Sequence, residues 1–431
     1  MLKLLKYKSK NSLKVLKKFL DKRKSFQKSQ TSAVSKIINN VKKNGDRAVL
    51  RYEKKFSKLN TKSKKILFTQ SEINAISNKT DIKIKKSINL AFDRIKKFHF
   101  KQKFSSFSFK DKYKNVLSYK YLPLEKVGVY VPGGTASYPS TVLMNCIPAL
   151  VAGVKNIYLT TPSLDSRINP AVIYAAKKCG VKKIYKTGGA HTIAALAYGT
   201  KKIEKVDKIV GPGNAFVACA KKEVFGDVGI DMVAGPSEVS IVADKSADPD
   251  LIAADLIAQA EHDENAQSIL ITNNKNLVGL VNLSLRKQLT KLPKKKIASK
   301  SLKNFGLAIF TDSKKKILEI INTIAPEHLE LCTSMNKEIL KGVRNAGSIF
   351  IGKFSPEAIG DYIAGPNHVL PTSGSARFSS GLSVNDFLKR HSEIKITKTG
   401  IERLGSSVIN LAKHENLEGH ANSVKIRLKR G

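Results

Sequence analysis

The distribution of apolar and polar residues divides the chain near residue 127. Before it, apolar residues recur at helical spacing over 32–56 and 82–98, which predicts two long amphipathic helices, the first interrupted at Gly45. After it, short apolar runs alternate with Ala-rich amphipathic stretches. The runs that predict strands are 127–131, 156–160, 183–186, 208–210, 239–243, 268–272, 307–310 and 348–351. The stretches that predict helices between them are 140–152, 169–178, 190–199, 249–262 and 314–323.

Alternating strands and helices are typical of parallel sheets covered by helices. The chain is therefore predicted to be an α/β protein with two Rossmann-like domains on parallel sheets and small helical segments at both ends. Its 431 residues, 42% of them hydrophobic, suffice for two such cores. The predicted division is a basic N-terminal helical extension over 1–29, a discontinuous α/β domain of 30–127 plus 238–384, a second α/β domain over 128–237, and a C-terminal polar segment over 385–431.

The chain is strongly basic, with a formal net charge of +43. Such a charge raises the hypothesis of a Lys-rich nucleic-acid-binding protein. The lysines, however, are spread over nearly every predicted surface segment, and Lys greatly outnumbers Arg, the residue that reads base edges. We therefore expect no nucleic-acid partner.

The cysteines and the N-terminal segment indicate where the protein works. Four cysteines lie far apart with no C-x-x-C pair, which suits a reducing cytosol. The first 24 residues alternate Leu with Lys, which predicts a basic amphipathic helix rather than a secretory signal. No apolar run approaches the roughly 20 residues that a membrane helix needs. We expect a cytoplasmic protein without a membrane partner.

Four apolar runs are followed by turns rich in Gly and Pro, at 131–134, 210–214, 233–238 and 363–368. At the carboxyl edge of a parallel sheet, such turns form the place where α/β proteins bind ligands. The polar side chains that the turns present are Asn214, Ser237, Asn367 and His368. Ordinary loops also contain Gly-Pro pairs, but four turns with polar side chains predict a lined pocket.

A possible metal site begins with Gln259 and His262, which leave one face of the predicted helix in an acid-rich segment. The best carboxylate partner is Asp361, which is flanked by Gly and apolar residues, and His420 is a further candidate. Two imidazoles, a carboxylate and an amide oxygen suit Zn²⁺ or Mn²⁺. The alternative is a solvated helix end without a metal.

Two further segments carry candidate chemistry. Glu327 and His328 follow a proline and could serve two different proton transfers, although a Glu-His pair alone is weak evidence. The segment 187–191, Thr-Gly-Gly-Ala-His, opens a predicted helix whose N-terminal amides could bind a phosphate. No G-x-G-x-x-G is present after 127–131, so a nicotinamide cofactor is a guess from the residues alone. Cys146 has no activating base nearby and is better explained by packing.

Taken together, these segments resemble the histidinol dehydrogenase family over residues 30–425. The resemblance lies in the stretches that begin Tyr130-Val-Pro-Gly-Gly-Thr, Val206-Asp-Lys-Ile-Val-Gly-Pro-Gly-Asn, Ile230-Asp-Met-Val-Ala-Gly-Pro-Ser-Glu, Gln259-Ala-Glu-His, Ala325-Pro-Glu-His-Leu, Gly360-Asp-Tyr and Gly365-Pro-Asn-His-Val-Leu-Pro-Thr. It implies a zinc-dependent oxidoreductase that converts L-histidinol to L-histidine through L-histidinaldehyde with two NAD⁺. A zinc hydrolase on the same scaffold is the other alternative.

The resemblance also implies roles for individual residues. The zinc ligands, one ion per subunit, would be Gln259, His262, Asp361 and His420. The catalytic pair would be Glu327 and His328. The substrate contacts would be Ser237, Gln259, His262, Glu327, His328, Asp361, His368, Glu415 and His420. The cofactor contacts would be Tyr130, Asn214 and His191, which stands where the family pattern has Gln.

The resemblance finally implies a homodimer that exchanges C-terminal segments, in which Glu415 and His420 serve the partner's active site. The domain over 128–237 would bind NAD, and the discontinuous domain would carry most metal and catalytic residues. The family's pattern does not account for the basic start of this chain.

Overall fold

The structure, a computed structural model, describes residues 1–24, 30–56, 66–133, 138–162 and 168–430. The strands are β1 (Lys3–Lys6), β2 (Phe107–Lys110), β3 (Val116–Pro123), β4 (Lys126–Tyr130), β5 (Asn156–Thr160), β6 (Lys183–Tyr185), β7 (Lys208–Val210), β8 (Gly229–Ile230), β9 (Glu238–Ala243), β10 (Gln267–Thr272), β11 (Gly306–Phe310), β12 (His328–Cys332), β13 (Ser348–Ile351) and β14 (Leu388–Lys395). They form a six-stranded parallel sheet, a five-stranded parallel sheet and a three-stranded antiparallel sheet.

Helices cover both parallel sheets. They are α1 (Lys10–Lys24), α2 (Thr31–Phe56), α3 (Gln70–Asn78), α4 (Ile82–Phe100), α5 (Pro139–Ala152), α6 (Pro170–Lys178), α7 (Ala190–Tyr198), α8 (Ala215–Val224), α9 (Pro249–Ala260), α10 (Lys275–Leu289), α11 (Lys295–Phe305), α12 (Lys314–Ile324), α13 (Asn336–Leu340), α14 (Glu357–Tyr362), α15 (Lys398–His414) and α16 (Glu418–Arg430). The predicted α/β class with parallel sheets is confirmed. In the described parts of the chain, no helix is long and apolar enough to span a membrane.

The six-stranded sheet has the order β1-β11-β10-β9-β12-β13. All residues of β9 and β10 are buried because apolar clusters lie on both faces. One cluster includes residues of α9, α10 and α11, and the other includes residues of α1 and α12. β9 lies in the middle of the sheet, with β10 and β11 following on one side and β12 and β13 on the other. The chain therefore changes sides after β11, and β1 pairs at the edge next to β11.

The five-stranded sheet has the order β6-β5-β4-β7-β8. Residues of α4, α5 and α6 pack in one apolar cluster with it, and residues of α2, α7 and α8 pack in another. The sequence-based division grouped 30–127 with 238–384. In the structure, the helices over 31–100 instead pack on the five-stranded sheet, because their apolar faces meet α5, α6, α7 and α8.

Both ends of the chain contain more regular structure than the sequence predicted. Residues Lys3–Lys6 of the expected helical extension form the edge strand β1, paired in parallel with β11. The expected polar segment over 385–431 forms β14, paired with β3 over eight residues, and then the helix pair α15–α16. These pairings are long-range contacts, which local patterns do not reveal.

Candidate active site

One side of the candidate site lies at the carboxyl ends of β4 and β7. The five-stranded sheet grows in opposite directions from these neighbouring strands, and such a switch point leaves a crevice where α/β proteins bind ligands. The loop after β7 passes so close to β4 that a side chain at Gly211 would clash with the carbonyl oxygen of Tyr130. Gly211 has φ +110°, a conformation that glycine adopts without strain.

A cavity of about 410 Å³ extends from this crevice towards the six-stranded sheet. On the crevice side it is lined by Pro132, Thr141 and Asn214. On the other side it is lined by acidic and imidazole side chains and by Ser237: His262, Glu327, His328, Glu357, Asp361 and His368. The cavity is large enough for a small molecule, and it joins the predicted cofactor and metal regions in one space.

The turns around the cavity correct one part of the pocket prediction. The turns after β4 and β7 lie at carboxyl ends as expected, but 233–238 precedes β9 and 363–368 follows α14. Ser237, Glu327 and His328 therefore come from the amino ends of β9 and β12. His262 follows α9, and Glu357 and Asp361 belong to α14. Glu327 and His328, expected on a rigid turn, stand where β12 begins.

Three side chains form a compact group that could hold a cation. One ligand atom from each of His262, Glu357 and Asp361 lies within 4.8 Å of the others. His262 follows the end of α9, whereas Glu357 and Asp361 are one turn apart on α14. Gln259 is fully buried beside them, and its amide group, oriented to satisfy its neighbours, donates to Glu357 Oε2 at 2.8 Å.

The chemistry of this group fits a divalent cation. Burial, together with the neighbouring Asp361, raises the pKa of Glu357 well above its ordinary value, and burial raises the pKa of Asp361 to about 7. A divalent ion would stabilise both carboxylates and leave His262 as a neutral ligand. Nitrogen and oxygen donors without a thiolate suit zinc or manganese.

His328 is buried and oriented by β9. Its Nδ1 lies 3.2 Å from the carbonyl oxygen of Glu238, so Nδ1 carries the proton and Nε2 is an acceptor. Nε2 has no hydrogen-bond partner among the described residues, and Asp361 Oδ1 lies 3.8 Å away. Burial lowers the pKa of His328 to about 3, which keeps the imidazole neutral.

Glu327 is buried beside His328, and its Oε2 accepts a hydrogen bond of 2.9 Å from the backbone NH of Glu238. Burial, and then the charge of Glu238, raise the pKa of Glu327 well above its ordinary value. The side chain of Glu238 pairs with the buried Arg23 of α1 at 2.6 Å. The basic N-terminal segment thus contributes a buried contact next to the expected catalytic pair.

Two other expected substrate contacts border the same cavity. His368 donates from Nδ1 to the carbonyl oxygen of Asp361 at 2.8 Å, which fixes the ring against α14. Burial lowers the pKa of His368 to about 4. Ser237 lines the cavity, and its carbonyl oxygen accepts from the backbone NH of Gln267 at 3.0 Å.

The expected cofactor contacts differ in their surroundings. Asn214 lines the cavity and caps α8, accepting from the NH groups of Phe216 and Val217 at 3.1 Å each. Tyr130 ends β4, and its hydroxyl oxygen accepts from Gly189 NH at 3.0 Å. His191 is buried, and its Nε2 lies 2.7 Å from Glu53 of α2.

The two expected residues of the C-terminal segment lie apart from the cluster. Glu415 ends α15 and His420 is on α16, and both side chains are exposed. The cation group found among the described residues contains neither of them. The structure therefore brings Gln259, His262 and Asp361 together within one chain but not His420.

Two residues of the site were missed by the sequence-based prediction. Glu357 stands four positions before Asp361, a spacing that places both on one helix face and could have indicated it. Arg23 lies in a Lys-rich stretch, where nothing in the local pattern distinguishes it from solvent-exposed cations. Its contact with Glu238 spans 215 positions and depends on the packing of α1.

A parallel α/β fold whose crevice opens onto a buried group of acids and imidazoles is typical of an enzyme acting on a small molecule. The chain matches the family model for histidinol dehydrogenase over residues 20–428. It is 54% identical to the histidinol dehydrogenase of Pelagibacter ubique over 431 residues, which covers 100% of both chains. It is 49% identical to that of Clostridium acetobutylicum over 394 residues, or 91% of each chain.

A solved structure agrees with these relatives. The crystal structure of histidinol dehydrogenase from Elizabethkingia anophelis superposes with a TM-score of 0.89 at 40% identity, covering 94% of this chain and 93% of that one. The chain belongs to the histidinol dehydrogenase family. The sequence-based recognition is confirmed, and the family match begins at residue 20, earlier than the resemblance from residue 30 predicted.

Proposed function

We propose that the cavity is the active site at which L-histidinol is oxidised to L-histidine through L-histidinaldehyde, with two NAD⁺ and one zinc ion per subunit. As a member of its family, the protein is an NAD-dependent oxidoreductase of histidine biosynthesis that converts histidinol to histidine. The single observation that carries the site assignment is the continuous cavity between the crevice of β4 and β7 and the group formed by His262, Glu357 and Asp361.

The cofactor binds, in this proposal, in the crevice at the carboxyl ends of β4 and β7. Gly133, Gly211 and Gly213 let the loops that border the crevice pack closely, because a Cβ at each would clash with Pro162, Tyr130 and Val217 respectively. Asn214 caps the start of α8, and the positive end of the helix dipole there favours a phosphate nearby. NAD, when bound here, accepts the hydride that leaves the substrate carbon in each oxidation.

The zinc ligands that we propose are Gln259, His262 and Asp361 of one subunit and His420 of the other. Zinc, when bound, supplies a fixed positive charge that orients the donor atoms of the substrate. Glu357 accepts a hydrogen bond from Gln259 and adjoins both other ligands, so it either binds the ion or orients Gln259.

His328 is the proposed base in both oxidations. Its neutral imidazole has a free Nε2 at the cavity, while the bond from Nδ1 to the Glu238 carbonyl holds the ring in place. Nε2 removes the proton of the substrate hydroxyl as the hydride departs. Ser237, Glu415 and His368 would hold the rest of the substrate.

Glu327 is the proposed base for hydration of the aldehyde. A carboxylate with a raised pKa is a stronger base than one in water, and burial raises the pKa of Glu327. Its Oε2 is bonded to Glu238 NH, which leaves the other oxygen for a water molecule. The hydrated aldehyde then presents a hydroxyl proton to His328 for the second oxidation.

We further propose a homodimer that exchanges its C-terminal segments, since Glu415 and His420 are exposed in a single chain. All four cysteines are free, which suits the cytoplasm as the compartment.

The direct test is NADH formation on addition of L-histidinol and NAD⁺ to the purified protein. We expect steady NADH production, and its loss together with bound zinc in Asp361→Asn. Glu393→Gln, at a half-buried position on β14 outside the cavity lining, is the matched control and should retain both. Absence of NADH with L-histidinol would contradict the proposed reaction, and an active, zinc-loaded Asp361→Asn would contradict the site.

A further inference from the structure

A buried carboxylate ties α2 to the turn that opens α7. Glu53 has no exposed surface, and its Oε1 accepts three hydrogen bonds. The donors are the Thr187 hydroxyl at 2.8 Å, the Gly188 backbone NH at 2.8 Å and His191 Nε2 at 2.7 Å. A carboxylate is stable in the interior only when such bonds compensate its lost hydration. This one oxygen therefore determines how α2 and the turn fit together.

The ring of His191 lies in a pocket formed by α2. It is 1% exposed, and its centroid lies 5.6 Å from that of Tyr52 and 6.2 Å from that of Phe56. Its Nε2 is directed at Glu53, and the residue is not among those that line the active-site cavity. The imidazole therefore faces α2 rather than the crevice.

The turn held by this pair is in contact with the crevice. Gly189 NH donates to the hydroxyl of Tyr130, the residue that ends β4 at the switch point. Gly188 packs so closely on Pro162 that a Cβ would lie 2.7 Å from the proline ring, and a Cβ at Gly133 would lie 2.5 Å from the same ring. The turn is therefore in contact with Tyr130 directly and with Gly133 through Pro162.

We propose that Glu53 and His191 form a single positioning pair that fixes the 187–191 turn and so sets the affinity of the crevice for the dinucleotide, with His191 acting through Glu53 and not by touching the cofactor. This inference rests on the proposed function only in taking the crevice as the nucleotide site. The resemblance implied that His191 touches the cofactor directly. Here its effect on the cofactor is instead indirect and depends on its hydrogen bond to Glu53.

The test measures the dissociation constant of NADH by its fluorescence, in the absence of L-histidinol, for the full-length protein. The variants are His191→Phe, which keeps a ring without a donor, Glu53→Met, which keeps the volume without an acceptor, and the double variant. We expect each single variant to weaken NADH binding by about 5- to 30-fold, the effect of losing one or two kcal/mol. The double variant should be about as weak as the worse single variant, because the two residues act as a unit.

Two further variants separate positioning from general destabilisation. His191→Gln keeps an NH donor within reach of Glu53 and should restore most of the affinity that His191→Phe loses. Thr333→Val removes a comparable buried bond, from the Thr333 hydroxyl to Asp244 at 2.7 Å, in the other sheet. It should lower the melting temperature by a similar amount and leave NADH binding unchanged. The KM for L-histidinol should change less than that for NAD⁺ in every Glu53 or His191 variant.

Four outcomes would overturn the inference. Additive losses in the double variant would mean that His191 meets the nucleotide independently. Unchanged NADH affinity with a lower melting temperature would leave the pair a purely structural contact, as would an equal loss in Thr333→Val. Failure of the wild-type protein to oxidise L-histidinol would count against the proposed reaction alone, because NADH binding is measured without turnover. If the other variant proteins do not fold, the NADH affinity of His191→Gln is compared with that of the wild type. A loss of about 30-fold in this conservative variant would contradict the inference.

Discussion

At the scale of single residues, burial has opposite effects on the two neighbours for which we propose proton transfers. Burial lowers the pKa of His328 to about 3 and raises that of Glu327 well above its ordinary value. The imidazole is thus a neutral acceptor, while the carboxylate becomes a stronger base. The backbone of Glu238 holds both side chains, through its carbonyl oxygen and its NH.

This division predicts different effects on the two oxidations. His328→Asn should reduce the rate of both by about 10²- to 10⁴-fold, the usual range for a general base. Glu327→Gln should reduce the oxidation of L-histidinaldehyde much more than the release of aldehyde from L-histidinol. Single-turnover NADH formation, started from either substrate, separates the steps. Equal losses in both steps for Glu327→Gln would contradict the division.

At the scale of elements, two loops depend on close packing, one at the carboxyl ends of the strands in each parallel sheet. The loop after β7 needs Gly211, because its φ of +110° and the nearby Tyr130 carbonyl exclude a side chain. At the carboxyl ends of β9 and β12, Asp244 accepts bonds from Ser246, Thr333 and Ser334 and joins the two central strands. Each loop offers a direct test of its packing.

We expect Gly211→Ala to destabilise the protein by about 1–3 kcal/mol, the range for a residue forced into an unfavourable backbone conformation. NADH binding should weaken as well, since the loop borders the crevice. Gly279→Ala is the matched control, because Gly279 lies in α10 with nothing within 4 Å of an added Cβ. It should stabilise by about 0.5–1 kcal/mol through helix propensity. Thermal unfolding measures both changes in stability. Melting temperatures of Gly211→Ala and Gly279→Ala that shift in the same direction would contradict this explanation.

The Asp244 network predicts a dependence of stability on acid. Burial acts against its ionisation, but hydrogen bonds from Ser246, Ser334 and Thr333 prevail and lower the pKa of Asp244 below its ordinary value. Because the folded pKa is lowered, the stabilisation is complete above the ordinary Asp value, near 3.9, and is lost as the pH falls below it.

Asp244→Asn should lower the free energy of unfolding by about 1–3 kcal/mol at neutral pH, because buried donors lose a charged acceptor. The difference from wild type should shrink as the pH falls towards 3. Urea denaturation at several pH values measures it. A difference that is constant down to the lowest pH would show that the carboxylate contributes no charge-dependent stability.

The elements also show what the sequence could reveal. Uninterrupted apolar runs bounded by turns predicted β5, β7 and β13 with the bounds that the structure has. The strand β12 was missed because buried polar residues interrupt its pattern. Among them is Glu330, whose pKa is raised to about 9 by burial and by the neighbouring Asp255. A buried acid of this kind depends on a partner from another element, which a local pattern cannot show.

The sequence predicted those residues of the candidate site that belong to short motifs. Gln259, His262 and Asp361 were predicted and lie together. Glu357 was recognised only from its distance to His262 and Asp361. Ser237, Glu327 and His328 lie beside one another because β9 and β12, which they precede or begin, are neighbours in the strand order of the sheet. That order depends on long-range pairing and could not be read from the sequence.

At the scale of the whole molecule, the C-terminal helices leave an apolar surface exposed. In the described chain the exposed apolar residues of this region include Leu404, Val408, Leu411, Leu417 and Ile426. The first three follow helical spacing and lie on one side of α15. A partner subunit would cover such a surface, in agreement with the proposed exchange of C-terminal segments.

Mixed dimers test whether His420 serves the partner's site. His328→Asn and His420→Asn should each be inactive alone. If the segments are exchanged, one site of each mixed dimer has both intact residues, so dissociating and reassembling equal amounts should restore about a quarter of wild-type activity. No recovery, with mixed dimers confirmed by two different affinity tags, would mean that His420 acts within its own subunit or not at all.

The central claim is that one cavity brings the nicotinamide, the substrate and a zinc ion together for two successive oxidations. The most direct measurement is the yield of NADH from limiting L-histidinol with excess NAD⁺, for protein treated with chelator and then reconstituted with zinc. We predict two NADH per L-histidinol for the zinc-loaded enzyme and none for the chelated enzyme, which should remain folded. One NADH per substrate, or an undiminished yield without metal, would contradict the account.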